Sequence, residues 1–123
     1  MTYREQQRLA DIQAAIDAIR SHLQRGDLSD GLVFDAMRIR LLEIGEAVKA
    51  LPAEMLSSQP NIPWSQIARM RDHLAHRYFD TNHAILRATV DNDLPELERA
   101  VQALAATLRA KDQQEEDQPP PSA

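Results

Sequence analysis

A chain of 123 residues, 43% of them hydrophobic and none of them cysteine, carries one modest core, which excludes two independent domains, disulfides, thiolate metal sites and a cysteine nucleophile. Its net charge of −5 argues against a protein that coats nucleic acid through general electrostatics, so any RNA contact has to be local. The start, Met1-Thr2-Tyr3-Arg4-Glu5, lacks the apolar core of a secretory signal, and no apolar run nears the roughly 18 to 20 residues that span a bilayer. A cytoplasmic protein without membrane contact is the expectation.

Thr2 and Glu5 form a capping-box pattern, after which Leu9, Ile12, Ile16, Ile19 and Leu23 recur at helical spacing until Gly26. A first helix from Thr2 to about Arg25 is predicted. Ser29 or Asp30 can cap a second, in which Val33, Met37, Leu41, Ile44, Val48 and Leu51 keep the same alternation up to Pro52. Gly45 inside that helix costs about 1 kcal/mol against alanine, which points to a close helix crossing there. Pro52 to Pro63 reads as a loop with one turn at Ala53 to Leu56.

A third helix is predicted from Pro63-Trp64 to Phe79, and Asp80-Thr81-Asn82 offers caps for a short fourth segment, Asn82 to Thr89. Asp93 with Glu96 repeats the capping-box pattern, and Leu94, Leu97, Val101, Leu104 and Leu108 then mark a last helix ending near Ala110. The domain is thus residues 1–111. Residues 112–123, acidic and Pro-rich with almost nothing apolar to bury, read as a disordered tail. Long helices with narrow seams and short connections predict an all-α, antiparallel up-and-down bundle of four to five helices, whose seams also suit pairing with a second copy.

The third helix departs from a plain bundle pattern. Arg69, Arg71, Asp72, His73, His76 and Arg77 fall within nine positions. At about 100° per residue Trp64, Ile67, Leu74, Ala75 and Tyr78 share one arc, and Arg71 lies near its centre, where a leucine would be expected. A guanidinium cannot shed its charge, so on a buried arc it must be paired or line a wet cleft. Glu46, beside Gly45, is the candidate partner. Asp72 and His76 are four apart, so the carboxylate can hold the imidazole and raise its basicity.

Taken alone, such a helix is more often a solvated charged face than a site. His73 and His76 could be a metal pair, but only Asp72 is a further local ligand, so neither metal nor cofactor is expected. Trp64 and Tyr78 suit a core role as well as a functional one, and His22 and His83 have no constellation around them.

The spacing Arg71, four residues, His76, one residue, Tyr78 resembles the Arg-x4-His-x-Tyr motif of the HepT-like branch of the HEPN superfamily. The resemblance extends to Ile44-Gly45-Glu46-Ala47, to Ile62 through Asp72, and to Asp93-Leu94-Pro95-Glu96-Leu97, covering about residues 4 to 110. It implies a HEPN-like bundle that forms a homodimer with the two motifs facing one cleft. It further implies a metal-independent endoribonuclease with Arg71 and His76 as catalytic residues, supported by Asp72, His73 and Glu46. Such a protein is the toxin of a toxin-antitoxin pair, inactivated when a cognate nucleotidyltransferase antitoxin transfers AMP to Tyr78. The rival reading is a non-catalytic dimeric helical partner that binds a nucleotidyltransferase.

Overall fold

A computed structural model describes residues 2–75 and 79–117. Within them the chain forms α1 (Thr2–Arg25), α2 (Gly31–Lys49), a single turn α3 (Ala53–Leu56), α4 (Trp64–Leu74), α5 (Phe79–Ala88), a π-helical turn (Thr89–Asp93) and α6 (Leu94–Asp117). No strand occurs among the described residues, and the architecture is the expected all-α bundle.

The apolar seams meet as their periods require. Leu9, Ile12, Ile16 and Ile19 of α1, Val33, Met37, Leu41, Ile44 and Val48 of α2 with Leu51 just beyond its end, and Leu94, Leu97, Val101, Leu104 and Leu108 of α6 are all buried. Leu23, by contrast, is 37% exposed, because the seam of α1 runs out before the helix does. Between choices for the α2 cap, the chain uses Asp30, whose carboxylate accepts from the N–H groups of Leu32 at 2.9 Å and Val33 at 3.3 Å.

α2 is the central element, packing on α1, α4 and α5, while α1 also packs on α6. Polar contacts fix the directions. Gln6 near the start of α1 donates to Asp112 near the end of α6, and Arg20 near the end of α1 reaches Glu98 near the start of α6, so these helices are antiparallel. Arg38 of α2 donates to the Leu74 carbonyl while Glu46, two turns further on, meets Arg71, so α2 and α4 are antiparallel as well.

Three boundaries differ from the expectation. Phe79 opens α5 instead of closing the third helix, and α4 ends at Leu74 with Ala75 as its C-cap. The Asp93–Glu96 pattern does not begin a separate helix: the chain passes from α5 through the π-turn directly into α6. Pro95 supplies the cause, since its ring crowds the carbonyl four residues back, that of Asp91, and widening the preceding turn relieves the crowding. Finally, α6 continues past Ala110 to Asp117, with Asp112 tied to Gln6. Of the expected tail, residues 118–123 lie outside the described residues.

Candidate functional site

The site is built where α2 and α4 cross. Gly45 gives the crossing its closeness: a Cβ placed there would stand 3.0 Å from the Cβ of Arg71 and 3.2 Å from the carbonyl oxygen of Ile67. With no side chain at position 45, the α4 backbone settles against α2 and Arg71 arrives beside Glu46. The Arg71 Nε and the Glu46 Oε1 form an ion pair, the partnership that the charge on an apolar arc required. Its two side chains are 38% and 55% exposed, so the pair sits at the rim of the core and not within it.

The remaining α4 positions divide around the helix. Ile67, Met70 and Leu74 are buried, whereas Ala75, expected on the apolar arc, is exposed. Met70 takes that place because the helix stops at Leu74 and its buried face centres one turn earlier. Trp64 packs against the core with its indole N–H donated to the Gln59 carbonyl at 2.9 Å, a core anchor satisfied at its polar end. Asp72 and His73 are exposed on α4 and do not join the Arg71–Glu46 pair. His76 and Tyr78, the remaining motif positions, lie outside the described residues, and with them the expected Asp72–His76 contact.

A cleft of about 600 Å³ opens beside the ion pair, bordered by Arg8 and Asp11 of α1, Ile39, Leu42 and Glu43 of α2, and Arg71. Glu43 is engaged by Arg40 at 3.1 Å. The cleft in one chain is therefore mixed in charge, with an apolar strip in which Ile39 is 47% exposed. Among the described residues no group of three or more histidine and carboxylate side chains gathers as a metal site would need. No helix among them is long and apolar enough to cross a membrane.

Sequence reasoning missed one contributor. Arg38, two α2 turns before Glu46, donates a hydrogen bond from Nη1 to the Leu74 carbonyl at 2.5 Å, so a cation from α2 meets an acceptor in the last turn of α4. An arginine among the polar positions of an amphipathic helix carries no mark of such a target. His83, read as isolated, stacks on Phe34 of α2 with ring centroids 6.1 Å apart and an interplanar angle of 11°.

An α2–α4 crossing that places a charged arginine at the rim of an all-α bundle is the HEPN type of architecture. Within it, this chain belongs to the ribonuclease HepT-like family, whose model matches residues 12–104. A protein of Caldanaerobacter subterraneus subsp. tengcongensis, provisionally named an RNase, is 46% identical over 67 residues, 54% of this chain and 60% of that protein. A second provisional RNase, from Methanocaldococcus jannaschii, is 38% identical over 76 residues, 61% of this chain and 63% of its own length. A Thermococcus cleftensis protein provisionally named ribonuclease HepT is 40% identical over 93 residues, 72% of this chain and 84% of its own. The chain thus spans about three fifths of the first two relatives and most of the third. No solved structure matches it.

Proposed function

We propose that this protein is an endoribonuclease acting as a homodimer, with one composite site built from the Arg71 and His76 of both subunits. The observation that carries the proposal is the Arg71 guanidinium held by Glu46 at the rim of an open cleft. A cation half in solvent and already oriented by a carboxylate can exchange that partner for a substrate phosphate. A fully buried pair could not. The apolar strip around Ile39 supports a second copy as the cover of the cleft, which would bring two arginines to one opening and offset the chain's net −5 locally.

The chemistry needs no metal. One His76 imidazole takes the proton of a ribose 2′-hydroxyl as that oxygen attacks the adjacent phosphorus, and the other protonates the departing 5′-oxygen. Arg71 stabilises charge on the phosphorane. The P–O5′ bond breaks as the P–O2′ bond forms, leaving a 2′,3′-cyclic phosphate and a 5′-hydroxyl. Asp72, four residues before His76, keeps the imidazole basic, and His73 adds a polar group on the same helix.

In the cell this activity fits a toxin whose antitoxin is a nucleotidyltransferase. AMP transferred to Tyr78, two residues from His76, would add bulk and negative charge beside a site meant for RNA phosphate. Incubation of RNA with the wild type and with Arg71→Ala, with product ends identified by mass, tests the proposal. Cyclic-phosphate ends that depend on Arg71 are expected; a dimer that binds a nucleotidyltransferase yet cleaves nothing would leave the non-catalytic partner reading instead.

A further inference from the structure

The flank of α4 turned away from Arg71 holds a second cavity, separate from the Arg71 cleft. It lies between α4, α5 and the π-turn, with a volume of about 390 Å³, within the roughly 300 to 1,000 Å³ of small-molecule sites. Ile67 and Met70, both buried, and the partly buried Ile85 give it an apolar floor. Its rim is polar: Arg69 and His73 stand on the α4 side and Asp93 on the other.

The π-turn makes this arrangement. An extra residue in one turn rotates the helix beyond it by about 100° relative to the helix before it, so Thr89 and Asp93 both border the cavity. The Thr89 hydroxyl donates to the Ile85 carbonyl at 2.7 Å, which ties the turn to α5. Asp93 is different: its carboxylate receives no hydrogen bond among the described residues, and its partial burial, with Glu96 nearby, raises its pKa above the ordinary aspartate value. A partly buried acceptor over an apolar floor is suited to a flat ring that carries N–H donors along one edge.

We propose that this cavity binds a guanine base of the RNA substrate, with the ring over Met70 and Ile85 and the Asp93 carboxylate accepting from the paired N1–H and N2–H donors. The assignment rests on the ribonuclease reading. Guanine is favoured because it alone among the four bases presents two adjacent donors to one carboxylate. Arg69 and His73 lie where the nucleotide's phosphate leaves the cavity. His73 is separated from His76 by at most about 11 Å of chain, so the bound base would fall within a short stretch of RNA from the phosphate that is cut.

Titration of the full chain with GMP, AMP, CMP and UMP, followed by amide and methyl NMR, tests this without requiring cleavage. GMP should bind at least about tenfold more tightly than UMP and shift the signals of Ile85, Met70 and Thr89. Asp93→Asn, which replaces one acceptor by a donor, should abolish that preference, and Ala88→Trp, which fills the cavity from its exposed edge, should block all four nucleotides. Equal binding of GMP and UMP, or GMP shifts confined to the Arg71 cleft, would overturn the assignment. Sequencing of cleavage ends adds the link to RNA: guanine enrichment beside the cut should vanish in Asp93→Asn. GMP binding without any cleavage would contradict the nuclease reading while leaving the guanine site in place, and cleavage without base preference would do the reverse.

Discussion

The missing side chain at Gly45 is what brings Arg71 to Glu46: an alanine methyl at position 45 would press on the Arg71 Cβ at 3.0 Å and on the Ile67 carbonyl at 3.2 Å. The carbonyl belongs to the α4 backbone and cannot swing aside, so the two helices would have to part. Gly45→Ala gains about 1 kcal/mol of helix propensity but incurs about 1 to 3 kcal/mol of overpacking. Thermal unfolding should therefore show a net loss of stability, and RNA cleavage should fall further than stability alone explains.

Separating the roles of the ion pair is possible because both side chains are partly exposed. Glu46→Gln removes a rim pair worth no more than about 1 kcal/mol, so the melting temperature should change little. Freed from its holder, Arg71 should lose orientation, and cleavage should drop by about tenfold at an unchanged fold. Arg71→Lys should fail to restore the Arg71→Ala loss, because a point ammonium cannot reproduce the planar fork.

Arg38 closes the end of α4 from outside the motif. A hydrogen bond from a charged donor to a partly buried carbonyl contributes about 1.5 to 3 kcal/mol, so Arg38→Ala should destabilise the protein by an amount in that range. Hydrogen exchange should accelerate first at the last amides of α4, ahead of α1 and α6.

The α1–α6 contact makes a prediction in pH. Hydrogen bonds from Arg20 and then Gln13 hold the Glu98 carboxyl below the ordinary glutamate value of 4.5. A lowered pKa in the folded state adds stability that is present above the unfolded value and is lost as pH falls through the folded one. With Arg20 47% exposed, the contribution is at most about 1 kcal/mol. Glu98→Gln should therefore melt slightly below wild type at pH 7, and the two curves should converge at acid pH below 4.5.

Much of this structure was legible in the sequence because helical period marks the buried face of each helix, except where a seam runs out, as at Leu23 and Ala75. The α2 and α6 seams were complete, and the reasoning that an arginine on an apolar arc needs a partner led to Glu46. What escaped depended on contacts between distant segments or on backbone events that periodicity does not register. The π-turn arises from the Pro95 ring acting on the backbone before it, which a cap pattern at Asp93 and Glu96 concealed. The extension of α6 past Ala110 adds no apolar seam and has its visible tie in Gln6 at the other end of the chain. Arg38 looks like any solvent-facing cation until α4 is laid beside it.

A nuclease centred on the Arg71–His76 spacing is tested by cleavage of RNA by wild type and His76→Ala in the presence of chelator, with both proteins checked for dimerisation. Such a nuclease should give 2′,3′-cyclic phosphate ends from the wild type and none from the variant, at equal dimer content. Cleavage that persists in His76→Ala, or that chelator abolishes in the wild type, would contradict it.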